Sequence, residues 1–89
     1  MILHQNIRIY GLVQGIGFRY FLQKKATDLN IVGFVENKVD GSIFVEAEGE
    51  DENLNRFIDF CHQGPSRSLV QKVVTTQSLL KNYPDFTIH

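Results

Sequence analysis

Residues 5–29 read QNIRIYGLVQGIGFRYFLQKKATDL, and within them the spacing of the apolar side chains changes from that of a strand to that of a helix. Ile7 and Ile9 alternate with polar neighbours, which predicts a strand over residues 5–13. After the break at residues 14–17, the apolar residues recur on one helical face: Phe18, Phe21, Leu22, Ala26 and Leu29. The pattern predicts a strand, a glycine-containing loop and a helix of about 12 residues that ends near Asn30.

The segments that follow alternate between the same two patterns. Residues 31–37 and 42–49 are β-rich runs, and Asp40-Gly41 between them predicts a hairpin because glycine readily adopts the positive φ of such a turn. A second helix begins among acidic residues at Glu50, which suit the positive end of the helix dipole, and Gly64-Pro65 ends it. Its apolar stripe consists of Leu54, Phe57, Ile58 and Cys61.

The last quarter of the chain adds two strands. Residues 68–78 form the longer one, and because Val70, Val73 and Val74 do not share one alternation, their pattern allows a bulge but fixes neither it nor the register. The short final strand carries Phe86 and Ile88. The predicted fold is α+β, a ferredoxin-like α/β sandwich (βαββαβ) in one domain over residues 1–89. It has an antiparallel sheet of four to five strands with two helices on one face.

The overall charge excludes several classes of function. The 89-residue chain carries nine Lys and Arg against ten Asp and Glu, a net charge of −1, whereas nucleic-acid binding or anionic-membrane binding would need a basic surface. It has neither an apolar run of membrane-spanning length nor a basic and apolar leader, so we expect no membrane or secretory segment. A single cysteine cannot form an internal disulfide, which favours a reducing cytoplasm. We expect a monomer.

The loop Gln14-Gly15-Ile16-Gly17 and the first helical residues, Phe18 and Arg19, form a candidate anion site. Backbone N–H groups at a helix start have no intrahelical acceptor, and the helix dipole adds partial positive charge there. Arg19 opposes that dipole at a cost of roughly 0.3–1 kcal/mol, which a bound phosphate would offset. The same residues also fit a tight turn followed by a solvated arginine, and both interpretations remain open. No Gly-Lys-Ser/Thr follows, so this is not a Walker loop.

Residues 11–19, GLVQGIGFR, closely resemble the first signature of the acylphosphatase family. Residues 33–37, GFVEN, followed by DGSI at 40–43 and by Gly49, resemble its second signature. The weaker similarities are Gly64-Pro65, Val70, Val73, Phe86 and Ile88. The resemblance covers nearly the whole chain, and two ordered signatures at this separation are more specific than either alone.

The resemblance implies a small enzyme that hydrolyses acyl phosphates to a carboxylate and inorganic phosphate, without metal or cofactor. If the family's residue roles apply at the matching positions, the loop from Gln14 to Arg19 would bind the phosphate. The N–H groups of Gly15 to Arg19 and the Arg19 guanidinium would be the donors. Asn37 would orient the attacking water. Inorganic phosphate would be both product and inhibitor. Glu36 departs from the family, in which this position is more often basic or neutral. On a strand it points away from Asn37, but its charge would lower the potential near the site.

These residue types suit that chemistry. A carboxylate leaving group has a pKa of about 4–5 and departs without protonation, so no general acid is needed. Phosphoryl transfer has a loose transition state, in which positioning and charge stabilisation dominate. The neutral amide of Asn37 both donates and accepts hydrogen bonds and can therefore hold a water, although an asparagine here also fits a routine turn. The substrate's own phosphate oxygen would accept the proton of the water.

Two other functions compete with this one. Cys61 and Arg67 match Cys-x5-Arg, the phosphate loop of cysteine-dependent phosphatases. In those enzymes the cysteine ends a strand, whereas Cys61 falls on the apolar stripe of a predicted helix. The other alternative is a non-catalytic ferredoxin-like module that binds a ligand.

The remaining polar residues indicate no further site. His4, His62 and His89 are scattered along the chain and lack the spacing of metal ligands, so we predict no metal. Glu46 and Glu48 are interpreted as the solvated face of a strand.

Overall fold

The computed structural model describes all residues from 1 to 89 and contains five strands and two helices. In chain order these are β1 (Ile2–Leu12), α1 (Phe18–Asp28), β2 (Val32–Asn37), β3 (Ile43–Glu50), α2 (Asp51–Gln63), β4 (Leu69–Ser78) and β5 (Phe86–Ile88). Every predicted element is present, and the ferredoxin-like α+β fold is confirmed. β1 begins earlier than predicted because Ile2 already pairs with Glu50 of β3.

The five strands form one sheet in the order β4-β1-β3-β2-β5. All neighbouring pairs are antiparallel except β2 and β5, which are parallel, so the prediction of a wholly antiparallel sheet is wrong at this edge. The cause is the path of residues 79–85. β4 ends beside His4, near the beginning of β1, and the chain then crosses to the beginning of β2, where Gly33 pairs with Phe86. From that end of the sheet, β5 runs alongside β2 in the same direction.

Both helices pack on one face of the sheet, and the hydrophobic core lies between the helices and the sheet. The predicted stripes supply it: Phe18, Leu22 and Ala26 of α1 are buried, as are Leu54, Phe57 and Cys61 of α2. The sheet contributes the alternate residues Ile7, Ile9, Val35, Ile43, Val45 and Ala47. Neither helix is long and apolar enough to cross a membrane.

The fourth strand contains the bulge that its sequence pattern left open. Tyr10 pairs with Lys72 and Gly11 pairs with Val70, so Gln71 has no partner of its own on β1. The extra residue shifts the alternation by one position, which lets Val70 and Val73 both pack against the core.

The opposite face of the sheet is not wholly solvated, and the interpretation of Glu46 and Glu48 as solvated residues is wrong. Their exposed fractions are only 8% and 2%. Residues 79–85 cross this face, and their backbone N–H groups turn toward Glu48, which accepts hydrogen bonds from Lys81, Asn82 (3.0 Å) and Tyr83 (3.4 Å). The segment has no helical or strand periodicity, so the sequence pattern did not reveal that it covers these carboxylates.

A fully buried histidine completes this acidic cluster. His4 Nδ1 lies 2.7 Å from the Glu48 carboxylate, and His4 Nε2 lies 3.2 Å from that of Glu46. Glu46 also accepts a hydrogen bond from the Tyr83 hydroxyl at 2.7 Å and pairs with Lys81 Nζ at 3.0 Å. The cluster therefore fastens residues 81–83 to β1 and β3.

The pKa values of these groups follow from burial and hydrogen bonding together. Burial alone would raise the pKa of Glu48, but hydrogen bonds from the Lys81 backbone and from His4 hold it below its ordinary value of 4.5. The pKa of Glu46 is lowered in the same way, against its burial, by Tyr83 and Lys81. Burial and the hydrogen bond to Glu46 raise the pKa of Tyr83 to about 12.

We expect Glu48→Gln to lower the free energy of unfolding by roughly 3 kcal/mol at pH 7, because it leaves His4 and the backbone N–H groups without their carboxylate. A carboxyl group with a lowered pKa in the folded state stabilises the fold above its unfolded pKa. That stabilisation is lost as the pH falls through the folded pKa. The difference between wild type and variant should therefore be full above the ordinary pKa of 4.5 and shrink progressively as the pH falls below it. Urea denaturation followed by circular dichroism measures this difference across the pH range.

Glu52→Gln is the matched control. The Glu52 side chain is 79% exposed and pairs with Arg56 at 3.2 Å, so its removal should change the free energy of unfolding by less than about 0.5 kcal/mol. Equal effects of the two substitutions would contradict the stabilising role of the buried cluster.

Candidate active site

A pocket lies where β1 ends and α1 begins. β1, β2 and β5 run in the same direction, so their carboxyl ends meet at this edge of the sheet. The pocket has a volume of about 80 Å³. Its lining consists of Val13, Gly15, Gly17, Phe18, Arg19, Tyr20 and Asn37.

Two glycines shape the loop that forms the floor of the pocket. Gly15 has φ 80° and Gly17 has φ 82°, both in the left-handed region that side chains with a Cβ disfavour, while Ile16 between them does not have a positive φ. Successive backbone N–H groups in a turn with left-handed residues can form a concave binding place for an anion. No atom lies within 4 Å of the Cβ position at either glycine, so the conformation and not a lack of space requires glycine.

The N–H groups of this loop have no partner within the chain. The first hydrogen bond of α1 runs from Phe21 N–H to the Gly17 carbonyl at 3.0 Å, and no side chain caps the helix. The N–H groups from Gly15 to Tyr20 are therefore free to bind an anion, and the first turn of α1 contains no acidic residue that would compete with it.

Arg19 is half-buried at the edge of the pocket and is held from the other side by β5. Its Nη1 donates a hydrogen bond to the His89 carbonyl, the residue after β5, at 2.9 Å. A guanidinium group has five N–H donors, so this bond fixes its orientation and leaves other donors for a ligand. The Arg19 guanidinium, whose charge opposes the helix dipole, thus lies beside the unpaired N–H groups. Such a combination suits the binding of a phosphate.

Asn37 is the last residue of β2 and reaches the same pocket from the neighbouring strand. Glu36 lies on the other side of β2, where it pairs with Lys38 and lies 3.7 Å from His89 Nδ1. The hydrogen bond from Lys38 lowers the pKa of Glu36, so this carboxylate is ionised but its charge is compensated. Glu36 therefore lowers the positive electrostatic potential near the pocket less than an unpaired carboxylate would.

The loop is tied to the turn that follows Asn37. The amide of Gln14 donates hydrogen bonds to the Lys38 carbonyl at 2.8 Å and to the Ser42 carbonyl at 2.9 Å. Asp40 in turn accepts hydrogen bonds from the backbone N–H and the hydroxyl of Ser42, which stabilise the turn. Gln14 therefore ties the glycine-containing loop to the turn after Asn37, from outside the pocket.

The structure thus brings most of the predicted site residues together. Gly15, Gly17, Phe18, Arg19 and Asn37 line the pocket, whereas Gln14 and Ile16 do not. Two lining residues, Val13 and Tyr20, were missed. Val13 was predicted as the end of a strand and as part of the first signature, without a role in the site. Tyr20 lies next to Arg19, but no pattern in the sequence distinguishes an aromatic residue on a pocket rim from one elsewhere on a helix surface.

The residues of the alternative cysteine-dependent mechanism, Cys61 and Arg67, lie outside the pocket. Cys61 is completely buried on α2, does not line the pocket, and has its thiol pKa raised by burial, which opposes the thiolate that a nucleophile needs. Arg67 is exposed beyond the end of α2. No three His, Cys, Asp or Glu side chains are grouped in a way that could hold a metal ion.

Known proteins resemble this chain over nearly its whole length. The sequence model of the Acylphosphatase family matches residues 5–88. An acylphosphatase of Thermotoga maritima is 43% identical over 83 residues, which make up 93% of this chain and 92% of that protein. The crystal structure of the Bacillus subtilis acylphosphatase superposes with a TM-score of 0.96 at 34% identity, and covers 100% of this chain and 99% of its own.

A second solved acylphosphatase structure has the same fold. The acylphosphatase of Coxiella burnetii has a TM-score of 0.95 at 27% identity, with 99% of this chain and 93% of that chain covered. The resemblance of the two sequence signatures is thereby confirmed, and with the family match over residues 5–88 the chain belongs to the acylphosphatase family of hydrolases.

Proposed function

We propose that this member of the family hydrolyses the carboxyl–phosphate bond of small acyl phosphates, with the phosphate bound by the loop and Arg19 and the water oriented by Asn37. The observation that carries the proposal is the pocket at the start of α1. There, unpaired N–H groups, a guanidinium and a neutral amide line one volume of about 80 Å³.

Phosphate binding in this pocket rests on preorganised positive charge. The N–H groups from Gly15 to Tyr20 and the dipole of α1 are fixed by the backbone before any ligand arrives, and Arg19 is fixed by its bond to His89. Donors that are already oriented need no reorganisation as negative charge develops on the equatorial oxygens of the phosphoryl group. They therefore stabilise the transition state more than they stabilise the bound substrate.

The proposed chemistry needs no acid or base from the protein. No carboxyl or imidazole group lines the pocket, and the acyl carboxylate leaves as a weak base. The Asn37 amide accepts a hydrogen bond from the water and holds it in line with the breaking P–O bond. The oxygen of the water then bonds to phosphorus as the carboxylate departs with the electron pair of that bond. The proton of the water passes to a phosphate oxygen, and the products are a carboxylate and inorganic phosphate.

We further propose that the protein acts as a monomer in the cytoplasm, without metal, cofactor or nucleic acid. All the residues of the proposed reaction come from one chain, so a second copy is not needed to complete the site. The reducing compartment is inferred from the single unpaired cysteine, and the lack of nucleic-acid binding from the net charge of −1.

We expect Arg19→Gln to lower kcat/KM by about 100-fold or more, because it removes the charged donor that the phosphate requires. Phosphate release from acetyl or benzoyl phosphate, measured with a chelator present, gives the rates. Competitive inhibition by inorganic phosphate should weaken in parallel. The control is Lys24→Gln, which removes an exposed cation of the same helix that pairs with Asp28 at 2.8 Å. If the wild type turns over and Arg19→Gln matches it, phosphate binding by Arg19 is rejected.

We expect Asn37→Ala to lower kcat by about 100-fold, because the water loses its orienting partner. The inhibition constant of inorganic phosphate should stay within about twofold of the wild-type value, since the donors of the loop are untouched. Steady-state kinetics with and without added phosphate separates the two effects. Asn55→Ala, an exposed position on α2, serves as the control. Unchanged turnover in Asn37→Ala would overturn the role of this residue.

We expect Cys61→Ser to leave kcat and KM unchanged while costing roughly 1–3 kcal/mol of stability, because a hydroxyl would replace a thiol in the core. Activity is measured below the unfolding transition, which circular dichroism locates. Cys61→Ala provides a second variant without a buried hydroxyl. Loss of turnover in both folded variants would instead support the cysteine-dependent mechanism.

A further inference from the structure

The volume of the pocket limits how much of the substrate it can enclose. With a volume of about 80 Å³ the pocket is small, and it is open to solvent on one side. We therefore expect the phosphate to occupy it and the acyl group to lie at the rim.

The rim offers one apolar side chain for that contact. Val13 and Phe18 are 1% and 2% exposed, so they are enclosed by the core, and Gly15 and Gly17 have no side chains. Tyr20 is 69% exposed and lies in the first turn of α1, directly after Arg19. Of the residues that line the pocket, it is the only large hydrophobic one whose side chain is open to solvent.

We propose that Tyr20 is a specificity-determining residue whose ring receives the acyl group. The site therefore discriminates in favour of acyl phosphates with a planar apolar group, such as an aromatic acid, over those with a methyl group alone. This inference rests on the proposed function, because it assumes that the phosphate occupies the loop. The aromatic ring of the substrate packs against that of Tyr20 while the phosphate is held by the donors beneath it.

The energetics of that contact predict which kinetic constant changes. Contacts between aromatic rings are worth roughly a two- to tenfold change in affinity. The acyl group stays against the ring both before and during bond cleavage, so the contact strengthens substrate and transition state alike. Such uniform binding lowers KM and leaves kcat unchanged.

The test compares benzoyl phosphate and acetyl phosphate as substrates of the wild type, Tyr20→Ala and Tyr20→Phe. Tyr20→Ala should raise the KM for benzoyl phosphate two- to tenfold, with little change in its kcat or in either constant for acetyl phosphate. Tyr20→Phe should keep the wild-type ratio of the two kcat/KM values, because the ring and not the hydroxyl makes the contact. The inhibition constant of inorganic phosphate should be the same in all three proteins.

Leu12→Ala is the matched control. Leu12 is also an apolar side chain that is 69% exposed and close to the loop in sequence, but it does not line the pocket, so its removal should not change the ratio. If Tyr20→Ala leaves the ratio unchanged, or lowers kcat/KM equally for both substrates, the assignment of Tyr20 is overturned. Failure of the wild type to hydrolyse either substrate would instead overturn the proposed function together with this inference.

Discussion

The backbone N–H groups at the start of α1 are the feature on which the proposed function depends. Unpaired donors are normally capped by a side chain or left to solvent, and here the left-handed conformations of Gly15 and Gly17 keep them exposed on one concave surface. An acidic cap, which would suit the helix dipole, would also occupy these donors. The chain has an arginine in the first turn instead. It forgoes local helix stability, and the pocket gains a second source of positive charge.

The outer face of the sheet is connected to this pocket through the chain itself. Glu48 and Glu46 fasten residues 81–83 across the sheet, and the chain continues from there into the three residues of β5. β5 pairs with β2, the strand that ends in Asn37, and the carbonyl of the following His89 holds the Arg19 guanidinium. Arg19 therefore owes its orientation to a strand that makes few hydrogen bonds of its own and is fixed at its beginning by a buried ion cluster.

Local patterns predicted most of this fold, and long-range contacts account for what they missed. The change of period between Ile9 and Phe18 locates the strand, the loop and the helix without tertiary information, and the proposed anion site lies at that junction. Asn37 is different, because no spacing rule places the end of a second strand against the loop. It came from the resemblance of residues 33–37 to a family signature. The parallel edge and the buried Glu48 both depend on an aperiodic segment whose path is set by contacts across the sheet.

The other edge of the sheet has a consequence for behaviour at high protein concentration. β4 has ten residues, one charge at Lys72 and no proline, and its free side presents backbone donors and acceptors to solvent. The irregularity at Gln71 and the charge next to it disrupt the first part of this edge, but residues 73–78, VVTTQS, form an uncharged and regular run. Self-association by intermolecular β-pairing would begin at that run, and a lysine introduced on its solvent side would be the least disruptive way to prevent it.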